Sequence, residues 1–242
     1  MNDKRELYQI ATFQSFAQGD FYGLCTIEEL KKHGDFGLGT HESIDGEFIM
    51  NNGVVYKAKF DGSIEIPADD ALIPYAAITF FNADQTLVLP KITSITKLEQ
   101  VLNALVSELG ANMIYAARIT GFFESASLRS AVIQKEPYKP LLESLKTAQR
   151  TFGCEQSPGT LVALFFPPFL CTVNAKGWHF HFISEDETIG GHAFDFQIRN
   201  AKIELEKLDS FCLKLPDTPR FNGWDLSGDM SGQIKAAETG EF

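Results

Sequence analysis

The chain has 242 residues, 44% of them hydrophobic and 21 of them phenylalanine, enough apolar material for one large domain or two closely packed small ones. Lys plus Arg number 21 against 32 Asp plus Glu, and the net charge of −11 disfavours binding to nucleic acid or to an anionic membrane surface. A small anionic ligand would therefore need a local cation to hold it. Along the first third, Thr26 and Glu29 have capping-box spacing ahead of a short helix that ends in Lys31-Lys32-His33 and stops at Gly34. Gly34-Asp35-Phe36-Gly37-Leu38-Gly39-Thr40 has neither the Gly-Lys-Ser/Thr ending of a phosphate loop nor dinucleotide-fingerprint spacing; it predicts a close-packed backbone that presents Thr40 to a site. Asp45-Gly46 reads as a turn, with Glu47 the first side chain of the strand that follows.

The clearest helix is bracketed by Thr96 with Glu99, a second capping-box spacing, and by Gly110; Leu98, Leu102, Leu105 and Leu109 lie on its apolar stripe, which is core packing. Residues 137–150 predict a third helix with Leu141, Leu142 and Leu145 inward. Strand-like runs lie at 47–50, 54–60, 78–81, 86–89, 113–120, 161–166, 178–183, 193–198 and 202–208. Arg118 and Arg129 flank a segment that reads as a hairpin, and spacing alone does not choose which of the two points inward. Glycines and Pro158 in 152–159 predict a boundary between an N-terminal half, 1–150, and a β-rich C-terminal half, 151–242. Few helices without regular alternation argue an α+β fold with mixed or antiparallel sheet.

Four cysteines, Cys25, Cys154, Cys171 and Cys212, lack Cys-x-x-Cys spacing and read as reduced, largely buried thiols. No apolar run follows the charged N-terminus and no window is long enough to span a bilayer, so the expectation is a cytoplasmic protein without a signal peptide.

Three of the five histidines fall within 179–192. In an extended Trp178-His179-Phe180-His181-Phe182, the two imidazoles share one face and the aromatic side chains the other. A turn at 184–187 and a return strand pairing His181 with His192 would put all three imidazoles on one surface, with opposed Cβ atoms roughly 5 Å apart. Three nitrogen ligands with room for more suit a working metal better than a closed structural site. Taken alone, His33 and His41 read as ordinary structural histidines.

The segments 8–13, 34–40, 44–47 and 129–134, together with His179-x-His181-Phe182-Ile183-Ser184-x-Asp186 and Gly190-Gly191-His192-x-x-Asp195-Phe196, resemble the alpha-acetolactate decarboxylase family, in the same order and over nearly the whole chain. The resemblance implies a zinc-dependent, homodimeric enzyme of two domains, the second an antiparallel, barrel-like unit carrying the metal histidines. It further implies conversion of (S)-2-acetolactate to (R)-acetoin and carbon dioxide on the route to 2,3-butanediol. By the same resemblance His179, His181 and His192 bind Zn2+, Glu47 and Arg129 are active-site residues, and Glu238 is the C-terminal glutamate that returns to the metal. The chain departs from the family pattern at His41, where an aromatic is usual, and at Ala131-Val132-Ile133 after Arg129-Ser130.

The residue types suit that chemistry: loss of carbon dioxide from a 2-hydroxy-3-oxo acid leaves an enediolate whose charge a Lewis acid holds, and an arginine can hold the departing carboxylate. A cupin-like metal oxygenase or isomerase is a rival, because His179-x-His181 precedes Glu185 and glycines; its partner histidine should lie well downstream, yet none follows His192. A binding module with a structural zinc is a second rival and predicts four protein ligands.

Overall fold

The computed structural model describes residues 5–239, apart from the side chains of Ser231, Glu238 and Thr239. The strands are β1 (Glu6–Ile10), β2 (Cys25–Thr26), β3 (Phe36–Thr40), β4 (Glu47–Asn51), β5 (Val54–Ala58), β6 (Ile64–Glu65), β7 (Leu72–Ile73), β8 (Tyr75–Thr79), β9 (Gln85–Ile92), β10 (Ile114–Ala131), β11 (Gln149–Phe166), β12 (Gly177–Ser184), β13 (Gly190–Leu208) and β14 (Ser210–Lys214). The helices are α1 (Phe13–Ala17), α2 (Ile27–Leu30), α3 (Ile95–Leu109), α4 (Leu141–Ala148), α5 (Pro219–Gly223) and α6 (Ser231–Thr239). This is the expected α+β class.

One sheet runs β14-β1-β8-β3-β4-β5-β6 and is mixed, because β14 lies parallel to β1 while its other pairs are antiparallel. The second is antiparallel in the order β10-β11-β12-β13-β9, and a further pairing of β10 with β13 closes a circuit of four strands. The pairing crosses residue 150: β10 matches β11 from Tyr115↔Phe165 to Ala131↔Gln149, and β14 returns to the first sheet. Residues 152–159, read from the sequence as a boundary, are thus strand; their glycines and Pro158 are accommodated opposite 121–127 of β10. Likewise 119–128 is the middle of one long strand instead of a hairpin. In β10, pairing on both sides holds the ladder through Gly121 and the bulges, whereas 152–158 of β11 pair with β10 alone, an edge position at which Pro158 is tolerated.

Between the sheets, Leu7, Phe36, Leu38 and Ile49 of the first meet Ala116, Val162, Leu164 and Ile183 of the second. Helix α3 covers the far face of the second sheet, burying Leu98, Leu102 and Val106. Its N-cap is Ser94, which accepts from the Lys97 N–H, not Thr96, because Asp195 takes the Ile95 N–H and starts the helix earlier. The α2 capping box forms as the sequence indicates. Helix α4 begins only after Pro140 and buries Leu141, while Leu142 and Leu145 pack at the core margin. Helices α1, α4 and α6 pack together against the far face of the first sheet. The four cysteines are free, Cys25 and Cys154 buried, Cys171 half-buried and Cys212 exposed, a wetter set than expected.

Candidate metal centre

Strand β12 alternates as its sequence predicts: Phe180 and Phe182 enter the core beneath α3, while His179 and His181 face the first sheet. Strand β13 returns with His192 paired directly to His181, the register the spacing suggested. His179 Nε2 lies 3.1 Å from His181 Nε2 and 3.0 Å from His192 Nδ1. The three offer ligand nitrogens all within 4.8 Å of one another, and among the described residues they are the only such group.

Proton bookkeeping shows why a cation suits this trio. His181 Nδ1 is 2.9 Å from the Phe48 carbonyl, which only accepts, so the proton sits on Nδ1 and the Nε2 lone pair turns inward. Arg129, which only donates, places a guanidinium nitrogen 2.9 Å from His192 Nε2; in the neutral ring that leaves the proton on Nδ1, directed at His179 Nε2. The lone pairs of His179 Nε2 and His181 Nε2 then face each other. Moving the proton to His179 relieves that contact only by leaving His192 unable to accept from Arg129. A divalent ion would take up the two facing lone pairs, and His192 would add Nδ1 once its proton sits on Nε2 and the hydrogen bond from Arg129 is given up, so the donor set fits a metal. Burial, reinforced by the Arg129 charge, lowers the His179 pKa to about 3, and burial with the same charges lowers His181 well below its usual value. Both rings are neutral near pH 7, the form a metal requires.

Other candidates converge on the same place. Glu47 opens β4 beside Thr40 of β3, and its Oε2 lies 3.6 Å from His181 Nε2. Thr40 is buried and donates its hydroxyl to the Gly46 carbonyl at 3.0 Å, bracing the turn that delivers Glu47. That turn holds Ser43 at φ 62° and Ile44 at φ 47°, left-handed conformations that cost on the order of 1–3 kcal/mol each. It is held there by hydrogen bonds from the Ser43 N–H to the Phe21 carbonyl, from the Gln134 N–H to the Ser43 carbonyl, and between the Ser43 and Tyr138 hydroxyls. The close packing expected of the glycine segment is real: a Cβ at Gly39 would stand 2.3 Å from the Tyr75 carbonyl oxygen.

Arg129 pairs across to His192 in the ladder. In β10, Tyr115, Ala117, Ile119 and Phe123 point under α3, but beyond the bulge at Phe123/Ser125 the inward residues are Ala126 and Leu128. The change of parity turns Arg129 towards the first sheet, the side Arg118 faces eleven residues earlier. Arg118 is nonetheless outside the centre, over the rings of Phe36 and Phe81 at 5.2 and 4.7 Å.

Thr40, Glu47, Arg129, His179 and His192 form the polar end of a pocket of about 70 Å3 whose other end is apolar, with Phe13, Phe16 and Leu141. Sequence reasoning missed Phe13 and Phe16, since α1 is five residues buried all round and shows no periodicity, and Gln149, whose amide oxygen accepts from Arg129 at 3.1 Å. Gln149 carried no signal. His41 is buried with its pKa lowered to about 3 by burial and by the Lys57 charge; it stands outside the trio. His33 stacks on Tyr8 at 3.8 Å. Glu238 falls in α6, its side chain outside the described part, although its neighbour Ala237 lines the pocket.

Compared with known proteins, the chain matches the family model of alpha-acetolactate decarboxylase over residues 7–228. This chain belongs to the alpha-acetolactate decarboxylase family. Proteins named alpha-acetolactate decarboxylase resemble it at 32% identity in Methanosarcina mazei, covering 96% of this chain and 80% of that one, and at 34% in Lactococcus lactis, covering 89% and 90%. The crystal structure of alpha-acetolactate decarboxylase from Bacillus subtilis superposes with a TM-score of 0.91 at 29% identity, over 97% of this chain and 99% of that one. A Staphylococcus aureus protein of unknown function similar to the family superposes at 0.89 and 30%, over 96% and 100%. The matched span takes in strands of both sheets and the stretch that holds the histidine trio.

Proposed function

We propose that this chain decarboxylates 2-acetolactate to acetoin and carbon dioxide at the pocket bounded by His179, His192, Arg129 and Glu47. The observation that carries the reading is the convergence, in a family member, of three neutral inward-facing imidazoles with a buried guanidinium at the polar end of one small pocket. His179, His181 and His192 would hold the metal, which we assign as Zn2+ because three nitrogen donors with a further position suit that ion; when bound it supplies the Lewis acid for the electron pair released with carbon dioxide.

The chain's own groups do the rest. Arg129 holds the substrate carboxylate, a stronger acceptor than the imidazole and amide it meets here, and orients it for departure. Glu47, beside His181, either completes the metal's ligands or carries the proton that must reach one face of the product; Glu238 shares that role on the family resemblance alone. Thr40 positions Glu47 through the Gly46 turn. The buried rings of Phe13 and Phe16 accommodate the methyl groups and keep water from the reacting carbon. A homodimer in the cytoplasm belongs to the same reading and rests on the resemblance; sedimentation equilibrium tests the assembly.

The deciding experiment supplies racemic acetolactate to zinc-loaded protein without oxygen and measures acetoin. One enantiomer consumed and acetoin formed supports the assignment. Well-folded, zinc-loaded protein that leaves acetolactate intact refutes it, and turnover only with oxygen would favour the cupin-like oxygenase reading.

A further inference from the structure

Gln149 stands at the junction of α4 and β11, where its backbone N–H closes the helix on the Leu145 carbonyl and where it pairs with Ala131 of β10. Beyond that pair the Val132 N–H donates to the Ala148 carbonyl at 3.0 Å, so the backbone is fixed on both sides of Gln149. In the same register Arg129 lies opposite Thr151, which makes Gln149 the diagonal cross-strand neighbour of Arg129, on the same face and roughly 7–8 Å away. A glutamine side chain spans that gap, and its Oε1 accepts from Arg129 Nη1 at 3.1 Å. A guanidinium only donates, so the amide oxygen is the atom turned towards it.

At the other terminal nitrogen, Nη2 lies 2.9 Å from His192 Nε2. The two acceptors respond differently to a metal. A His192 that offers Nδ1 as a ligand carries its proton on Nε2 and stops accepting from Arg129, whereas the Gln149 amide neither titrates nor changes tautomer and accepts in both states. Its neutrality matters as much as its permanence. A carboxylate at position 149 would cancel the guanidinium charge and compete with an incoming anion, while an amide fixes Nη1 and leaves the full charge in place. Nη1 and Nη2 carry two N–H groups each, so one hydrogen bond to Gln149 leaves donors for a carboxylate. Gln149, its paired Ala131, Arg129, and Leu141 and Leu145 of α4 all line the reaction pocket.

We propose that Gln149 is a positioning residue for the substrate anion: it aims the Arg129 guanidinium at the carboxylate of a 2-hydroxy-3-oxo acid and holds it there when His192 turns its lone pair to the metal. The inference rests on the decarboxylase reading of the pocket and adds to it the group that keeps the anion's donor in place.

Two zinc-loaded variants of the full chain separate this role from packing. Gln149→Met keeps the length and removes the acceptor, and Gln149→Glu keeps an acceptor and adds a charge. Zinc content and circular dichroism of both should match the parent. Calorimetry then reads their affinity for two probes: 2-hydroxyisobutyrate, which has a carboxylate and hydroxyl but no ketone, and acetoin, which has a hydroxyl and ketone but no carboxylate. Gln149→Met should weaken 2-hydroxyisobutyrate about tenfold and acetoin by less than about twofold, and raise KM for acetolactate about tenfold with kcat within about threefold. Gln149→Glu should weaken the carboxylate probe at least as much, although it would restore a merely structural acceptor. Unchanged KM and carboxylate affinity in Gln149→Met, equal losses for the two probes, or parental carboxylate affinity in Gln149→Glu overturns the proposal. Parent protein that leaves acetolactate intact would instead defeat the decarboxylase reading, and the two probe affinities still decide what Gln149 does.

Discussion

His181 owes its inward lone pair to a neighbour on another strand, the Phe48 carbonyl of β4, which holds the proton on the outer nitrogen. Orientation of this kind lets neutral rings act as ligands without searching rotamers or tautomers. His179→Ala and His181→Ala should each lose bound zinc, read by elemental analysis, while circular dichroism remains that of the parent. Zinc retained at full stoichiometry in either variant would contradict the assignment. Arg129 and Arg118 separate binding from scaffolding. Arg129→Ala should keep zinc yet lower kcat by a factor on the order of 100 or more, the scale of one lost charge-stabilising donor. Arg118→Ala, which removes a cation stacked on Phe36 and Phe81, should change kcat little and act on stability. Reversed outcomes would mean that the wrong arginine serves the reaction.

At the scale of elements, the long strands β10, β11 and β13 set the geometry that residue identities alone leave open. Bulges in β10 at Thr120/Phe122, Phe123/Ser125 and Ser127/Leu128 shift the alternation, so that Tyr115, Ala117 and Ile119 and then Ala126 and Leu128 enter the core under α3, while Arg129 is left facing the metal centre. Helix α3 shows how a tertiary contact overrides a local signal. Ser94 caps it and Asp195, from β13, takes the next amide. In urea unfolding Ser94→Ala should cost about 1 kcal/mol, as lost N-caps do, whereas Thr96→Ala should stay within a few tenths. Equal losses would return the cap to Thr96.

For the molecule as a whole, the two sheets share one seam that carries both the metal centre and, elsewhere, a buried carboxyl. Glu206 is 2% exposed, and one of its oxygens has no hydrogen-bond partner among the described residues. Burial, with the charges of Asp84 and Asp35 adding to it, raises its pKa to about 7, against roughly 4.3 for an unfolded glutamate. The folded state therefore holds the proton more tightly between those values, and stability conferred by the neutral acid is present below about pH 4.3 and lost as pH rises through about 7. Buried His41 and His179 act in the opposite sense: with pKa values of about 3, they favour the fold above roughly pH 6.5 and lose that contribution as acid is added. Glu206→Gln should accordingly be more stable than the parent at pH 8 and nearly equal to it at pH 4. The same gap at both pH values, measured by urea unfolding, would assign the effect to packing instead of ionisation.

Periodicity and pairing rules were enough to place α3, to put His179 and His181 on one face of a strand, and to propose His181 opposite His192, because each depends on residues within a few positions or across one tight turn. The order of motifs in the chain was enough to indicate the family. What spacing left open was decided by tertiary structure: that 119–128 and 152–159 are strand, that Arg129 and not Arg118 faces the trio, and that α1 and Gln149 help enclose the pocket. Glycine, proline and unbroken apolar runs look alike in isolation whether a chain turns or stays in a ladder, and only a partner strand that takes up the backbone hydrogen bonds decides between them.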